Sequence, residues 1–279
     1  MNIKFTDWID QPSHDIAIIL PTRGRKEMLK NSIMSLVDTA KCPEKLQVII
    51  GHDNDDRDSI DYAKQEIFDK LSQKNIWTTM LEFEPMGYSR LNEYVNAQAG
   101  QSNAHWIMFW NDDAIMKTEN WDTEISQHTG KFRILRVKTH NEHPYSIFPI
   151  VPREWYYLFG YLSMHQLNDA WISQIAYMLN IMYNIDVEVL HDRHDITGNN
   201  EDETFNKRVM FEGNPGDPRD FNHQNYAIKR YLDAKKAAWY MQSRGEDISW
   251  FRNVALGKQD PWERMLNEFD PNGQVKRLS

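Results

Sequence analysis

Short apolar runs alternate with amphipathic segments through the first 120 residues, and this alternation constrains the fold more than any other feature of the sequence. Four runs predict buried strands, at residues 16–20, 46–50, 76–83 and 105–110. The segments between them carry apolar residues at helical spacing, as Leu29, Ile33 and Leu36 do after the first run. Strands that alternate with helices in this way predict βαβ units and an open twisted sheet, so the fold class is α/β.

The second half of the chain is less regular. Strands are predicted at residues 132–139, 145–152 and 186–190, and a helix at residues 169–183. After Glu203 the pattern changes to a turn-rich linker and then to two helical segments, at residues 212–220, 226–241 and 261–269. We therefore predict a domain over residues 1–205 and a helical C-terminal extension over residues 206–279, packed on that domain.

Composition and charge exclude several classes of protein. The single cysteine, Cys42, excludes an intramolecular disulfide and suits a reducing compartment. No run approaches the roughly 18 apolar residues of a membrane-spanning helix, so we expect a cytoplasmic protein without membrane insertion. Residues 206–279 hold 13 Lys and Arg against 10 Asp and Glu, and the rest of the chain holds 19 against 31. This acidic body argues against broad nonspecific affinity for DNA.

Polar stretches follow three of the predicted strands, at "PTRGR", "GHDNDD" and "NDD". Ligands of open α/β sheets bind beyond the carboxyl ends of the strands, so these stretches predict a cleft. Two carboxylates at the end of a buried strand are costly unless their charge is compensated, and a hard divalent ion would compensate it and receive a diphosphate. The sequence has no Walker A loop, no G-x-G-x-x-G after the first strand and no H-E-x-x-H.

Four motifs in order resemble the nucleotide-diphospho-sugar glycosyltransferases of the GT-A fold, family 2-like and of the small phage and bacterial type. They are "IAIILPTRGR", "VIIGHDNDDRDS", "GYSRLNEYVNAQAG" and "WIMFWNDDAIMKTENWDTEI". The resemblance covers residues 16 to about 205 and implies a mixed central sheet flanked by helices, here with a helical C-terminal appendage. The donor-binding positions it implies are Pro21, Thr22, Arg23, Asp53, Asp55, Gly87, Arg90 and Asp112, with Asp53 or Asp55 meeting the base.

The same resemblance implies a site for Mn²⁺ or Mg²⁺. Asp113 matches the last carboxylate of the family's Asp-x-Asp segment, the usual metal ligand, although Asn111 replaces the first Asp. A late histidine often completes the site, and we favour His191, directly after its strand, over His194. The alternative for "NDD" is a solvated turn at a strand end.

Asp169 matches the carboxylate that acts as general base on the acceptor hydroxyl in inverting members. The family commonly has Glu-Asp at this place, and this chain has Asn168-Asp169. The alternative is an N-cap or first-turn aspartate that stabilises the following helix.

The resemblance implies an enzyme that moves a sugar from a nucleoside diphosphate sugar, a UDP-sugar first among them, to a hydroxyl of a glycan, a protein or a hydroxymethylated DNA base. Two alternatives stay open, a nucleotidyltransferase and a non-catalytic module that binds a nucleotide sugar or a glycan. The tail around Trp239 and Trp250 is basic and aromatic. We expect its aromatic side chains to dock onto the main domain, and the alternative is that they bind single-stranded nucleic acid.

Overall fold

The computed structural model describes residues 12–140, 143–193, 197–198 and 219–263. The predicted boundary at residue 205, most of the predicted linker, His194 and the predicted helix at residues 261–269, apart from its first three residues, lie outside this part of the chain. The strands are β1 (His14–Thr22), β2 (Leu46–Asp53), β3 (Trp77–Phe83), β4 (Ala104–Phe109), β5 (Ala114–Met116), β6 (Ile134–Thr139), β7 (Ile150–Pro152) and β8 (Met182–His191). The helices are α1 (Lys26–Thr39), α2 (Arg57–Tyr62), α3 (Phe68–Gln73), α4 (Leu91–Gly100), α5 (Trp121–Ser126), α6 (Arg153–Phe159), α7 (Asn168–Leu179), α8 (Gln224–Ser243) and α9 (Ser249–Ala255).

The described strands form one eight-stranded sheet in the order β3-β2-β1-β4-β7-β6-β8-β5. Strands β1 to β4 pair in parallel, as their βαβ connections require. Strands β7 and β5 run antiparallel to their neighbours, whereas β6 and β8 are parallel to each other. The sheet is therefore mixed, and the predicted α/β architecture is confirmed.

Helices cover both faces of the sheet. In β1 the side chains of Ile16, Ile18 and Leu20 join the apolar cluster beneath α1, whereas Ala17 and Ile19 join the cluster beneath α7 and α8. A strand buried on both faces reads as a continuous apolar run, which is why the sequence reveals β1 so clearly.

Three predicted elements differ in detail from the structure. The helix predicted over residues 169–183 ends at Leu179, and Met182 and Tyr183 are the first residues of β8. The helix predicted over residues 59–72 is interrupted by a π turn at Ala63–Ile67. The strand predicted over residues 145–152 is only the three residues of β7. In the residues before β7, backbone groups bond to side chains of α7 and not to a neighbouring strand. Ser146 N donates to Ser173 Oγ (2.9 Å), and Pro144 O accepts from Tyr177 Oη (2.9 Å). Burial of this loop explains its apolar sequence.

The C-terminal helices pack on α7. Ala234, Ala237 and Ala238 of α8 are fully buried, and Trp250 Nε1 donates to the carbonyl of Tyr177 (3.1 Å). Tyr240 and Phe251 are also buried, whereas Trp239 faces solvent. Among the described helices, none combines the length and the apolar character needed to cross a bilayer.

Candidate functional site

The ends of β1 and β4 meet at one edge of the sheet and bring Asp112 against two side chains from the "PTRGR" turn. Thr22 Oγ1 donates to Asp112 Oδ2 (2.7 Å), and Arg25 Nη1 donates to Asp112 Oδ1 (2.9 Å). The "NDD" turn that carries Asp112 is held in place as well, because Ser32 Oγ of α1 donates to the carbonyl of Asn111 (2.9 Å). Both oxygens of a buried carboxylate are thus occupied by partners from the protein.

Asp113 points instead toward the end of β8. The pairing of β5 with β8 places Ala114 opposite His191, and His191 Nε2 lies 3.2 Å from Asp113 Oδ1. Both side chains are buried, and the Phe148 ring meets the imidazole edge to face at 5.1 Å. Among the described residues, none makes a hydrogen bond of good geometry to Asp113 Oδ1 or to either nitrogen of His191. Buried polar atoms are rarely left this way, so this corner is the part of the site that can take a ligand.

Asp113 and His191 fit a divalent cation. Metal bonds to imidazole nitrogen and carboxylate oxygen are about 2.0–2.2 Å long, so two ligands at a right angle stand about 3 Å apart. The separation of Nε2 and Oδ1 is 3.2 Å. No cluster of three His, Cys, Asp or Glu residues with ligating geometry occurs in the described residues, which therefore supply two ligands at this corner.

The two adjacent aspartates differ in their electrostatics. Burial raises the pKa of Asp112 to about 6, with Asp113 adding to the shift and Arg25 opposing it. Burial also acts to raise the pKa of Asp113, but His191, Arg25 and Arg193 outweigh it and hold this pKa below its ordinary value. Asp113 therefore stays a carboxylate, the form that binds a cation.

A second group of side chains joins the ends of β1 and β2. Arg23 Nη1 donates to Asp53 Oδ2 (2.8 Å), and Arg23 Nη2 donates to Asp55 Oδ2 (3.0 Å). Tyr94 Oη donates to the other oxygen of Asp53 and accepts from Met86 N (2.7 Å). Burial, with help from Asp53, raises the pKa of Tyr94 to about 12, so Tyr94 remains a donor. Both oxygens of Asp53 are therefore held in place.

Gly87, Arg90 and Pro21 have different surroundings. Gly87 precedes a short 3₁₀ turn with φ 73°, a conformation that glycine adopts without strain. Arg90 is half exposed and forms its ion pair with Glu93 of α4, so the structure does not join it to Asp53 or Asp112. Pro21 pairs with β2 only, because the pairing of β1 with β4 ends at Ile19. The N–H group that proline lacks therefore removes no ladder hydrogen bond to β4.

Asp169 is the second residue of α7, in its first turn. Its Oδ1 accepts a hydrogen bond from the N–H of Ala170 (2.8 Å). Burial lowers the pKa of the nearby His143 imidazole, and the charge of Asp169 opposes that shift. The two side chains are therefore close enough to interact electrostatically. Asp169 thus has the first-turn position that either of its two predicted roles requires.

The sequence interpretation missed Arg25 and Tyr94. Arg25 belongs to the same "PTRGR" turn as Arg23, but only the backbone shows that Arg25 is the arginine that turns inward, toward Asp112 and Asp113 (2.9 and 3.6 Å). Tyr94 is part of the apolar face of α4, which gives no signal of its hydroxyl contact with Asp53. Spacing in sequence shows neither of these contacts.

No protein-family model matches the sequence, and no curated protein matches it either. Among solved structures, S. aureus TarS 1-349 is similar over 87% of this chain and 92% of that chain, with 12% sequence identity and a TM-score of 0.51. The mannosyltransferase PcManGT from Pyrobaculum calidifontis, in complex with GDP-Man and Mn²⁺, aligns over 94% of this chain and 82% of that chain, with 10% identity and a TM-score of 0.49. The likeness to TarS shows the fold, and the predicted GT-A fold is confirmed.

Proposed function

We propose that the chain is a metal-dependent glycosyltransferase that moves a sugar from a nucleoside diphosphate sugar to an acceptor hydroxyl with inversion. The observation that carries the proposal is the buried pair Asp113 and His191, whose facing atoms lie 3.2 Å apart and have no hydrogen-bond partner in the part of the chain that the structure describes. The pair lies beyond the ends of parallel strands, where the GT-A fold and open α/β sheets in general bind ligands.

Asp113 and His191 would hold Mn²⁺ or Mg²⁺. When bound, the cation offsets the negative charge that develops on the departing nucleoside diphosphate. Because the described chain supplies two donors at this corner, the remaining coordination positions are left for the diphosphate and water. Arg25, against both aspartates, keeps their carboxylates together before any ligand arrives.

The donor would lie along the group formed by Arg23, Asp53 and Asp55, with the base near Asp53 or Asp55. Arg23 and Tyr94 fix Asp53, so its carboxylate presents one orientation to an incoming N–H donor. Asp112, fixed by Thr22 and Arg25, would accept hydrogen bonds from hydroxyls of the ribose or the sugar. Pro21 and Gly87 would shape the backbone around the donor, and Arg90 would have to exchange Glu93 for a phosphate to contribute.

Asp169 would take the proton of the acceptor hydroxyl as the new C–O bond forms at the anomeric carbon. Its place in the first turn of α7 puts the carboxylate at the positive end of the helix dipole. Attack from the side opposite the leaving group inverts the anomeric carbon. We propose a hydroxyl on a glycan, a protein or a hydroxymethylated DNA base as the acceptor.

The test is a product assay of Asp169→Asn and of Asp186→Asn, a matched control that changes an exposed carboxylate on β8. Purified chain is incubated with UDP-, GDP-, CDP- and dTDP-sugars and Mn²⁺, and the released nucleotide is identified. We expect a nucleoside diphosphate from wild type and from Asp186→Asn, with transfer to an acceptor lost in Asp169→Asn by about 10²–10⁴-fold.

Other products would contradict the proposal. Pyrophosphate would assign the chain to the nucleotidyltransferases. Binding of a nucleotide sugar without turnover, together with a tolerant position 169, would assign it to the non-catalytic binding modules.

A further inference from the structure

The outer face of α8 carries large apolar side chains that the described elements leave largely exposed, although the Tyr231 ring also meets the Phe251 ring of α9 (centroids 6.0 Å apart). Ile228, Tyr231, Leu232 and Trp239 are between 38% and 61% exposed. Their spacing of three, four and eleven residues from Ile228 puts them on one side of the helix. The opposite side is occupied by the buried alanines that pack on α7. We call these four residues the outer stripe.

The charge beside the outer stripe is positive. Lys235 and Lys236 are exposed. Lys235 Nζ lies 5.2 Å from the centroid of the Trp239 ring, whereas Lys236 Nζ donates to the carbonyl of Leu158 in α6. The single acidic residue in the sequence of α8, Asp233, is buried and is held by Tyr161 Oη (2.7 Å) and Lys229 Nζ (3.2 Å). An apolar stripe flanked by lysines, on a helix with no exposed carboxylate, therefore lies on a protein whose net charge is −9.

These features disfavour two occupants. A second copy packed antiparallel along α8 would place Lys235 and Lys236 near their own counterparts, with no acid on this face to separate the charges. A single-stranded nucleic acid would use the lysines and Trp239, since bases stack on aromatic rings. It would leave Ile228 and Leu232, each half exposed, without a stacking role.

An anionic lipid surface matches all of these side chains. Aliphatic and aromatic residues on one side of a helix enter the boundary between headgroups and acyl chains. Tryptophan and tyrosine favour that depth, and each exposed lysine gains from a negative leaflet. We propose that the outer stripe, with Lys235 and Lys236, binds an anionic lipid surface, with α8 lying in the plane of the interface.

The contact would have a defined position on the molecule. The ring of Tyr226, in the first turn of α8, packs against His165 with centroids 5.0 Å apart. His165 lies four residues before Asp169, and its Nδ1 accepts from Leu167 N (3.2 Å). The first turn of α8, which precedes the outer stripe, therefore lies beside the loop that leads into α7. The lipid contact itself does not depend on the proposed transfer reaction.

The test is sedimentation of the full chain with vesicles of phosphatidylcholine alone and of phosphatidylcholine with one-third phosphatidylglycerol. We expect wild type to bind the anionic vesicles and to bind the neutral ones about tenfold more weakly. Leu232→Ser/Trp239→Ser should lower binding to anionic vesicles about tenfold or more. Lys235→Glu/Lys236→Glu should remove the preference for phosphatidylglycerol.

Matched controls use equally exposed residues elsewhere. Trp77→Ser changes a tryptophan that is 61% exposed, as Trp239 is, but lies on β3 at the far edge of the sheet. Lys45→Glu/Lys117→Glu makes the same charge change at two exposed lysines away from α8. We expect both controls to bind like wild type, and every variant to keep a melting temperature within about 2 °C of wild type.

Three results would overturn the proposal. The first is absence of wild-type binding to anionic vesicles, or an equal loss in the Trp77→Ser control. The second is a dimer in light scattering that Leu232→Ser/Trp239→Ser abolishes, which would assign the outer stripe to a second copy. The third is vesicle binding unchanged in both α8 variants, with binding of a single-stranded oligonucleotide lost in them, which would assign it to nucleic acid.

Discussion

Two buried histidines, His52 and His191, lie at the ends of strands in opposite halves of the same sheet. Among the described residues, no hydrogen bond reaches a ring nitrogen of either histidine. His52 is the residue before the last of β2 and has no described carboxylate in hydrogen-bond or ion-pair contact, whereas His191 is the last residue of β8 and faces Asp113 at 3.2 Å. Burial lowers the pKa of His52 to about 4 and makes it a neutral core residue. A buried histidine becomes a candidate ligand through what it faces, and burial alone does not decide it.

The largest expected effect is a difference in sugar-transfer rate between variants of the two histidines. His191→Leu removes one of two proposed metal donors, so metal-dependent transfer should fall by about 10²-fold or more. His52→Leu should leave the rate within about twofold, because neither ring nitrogen of His52 bonds to a described residue of the proposed site. Steady-state transfer rates at saturating Mn²⁺ measure both. Equal losses in the two variants would remove the distinction between these regions.

The next effect concerns the paired aspartate. Asp112→Leu leaves the Arg25 guanidinium buried without its nearest carboxylate, which should cost about 3–5 kcal/mol of unfolding free energy. The double variant Asp112→Leu/Arg25→Met removes both charges and should recover most of that loss. Urea unfolding of wild type and the two variants provides the comparison. A single variant as stable as wild type would show that the pair does not hold the cleft together.

A smaller effect is the pH dependence that His52 contributes. The pKa of His52 is about 6.5 in the unfolded chain and about 4 in the folded protein, so the unfolded state binds the extra proton first. The contribution of His52 to the free energy of unfolding is fully present above pH 6.5. It is lost as the pH falls toward 4, and the loss is about 3 kcal/mol in total.

The variant that isolates this contribution is His52→Leu, which should flatten the fall in stability between pH 6.5 and 4.5 relative to wild type. Urea unfolding at several pH values measures it. An unchanged pH profile in His52→Leu would show that His52 is protonated or hydrogen-bonded in the folded protein, and the contrast with His191 would then fail.

The parallel half of the sheet could be predicted from sequence, because its strands are buried on both faces and its helices are amphipathic. Residues 16–20 and 46–50 both lie inside observed strands. The antiparallel half was harder to predict. Strand β5 has three residues, too few for a periodic pattern, yet its pairing with β8 is what brings Asp113 to His191.

The site could be predicted as a set of residue types and strand ends, but not as a set of contacts. Asp112 and Asp113 are adjacent in sequence, and no pattern shows that one pairs with Arg25 and Thr22 while the other faces His191. The spacing of apolar residues after Asp169 predicts a helix that begins at this residue, and α7 begins one residue earlier, at Asn168. Contacts between residues about 80 positions apart depend on strand register, which a single sequence does not show.

The central claim is that Asp113 and His191 hold a divalent cation against a nucleoside diphosphate. The most direct measurement is calorimetric titration of UDP and GDP into wild type and His191→Leu, each with Mn²⁺ and with EDTA. We predict binding of one nucleotide to wild type that requires Mn²⁺ and falls about tenfold or more in His191→Leu. Equal affinity with EDTA, or a His191→Leu variant that keeps Mn²⁺-dependent binding, would contradict the claim.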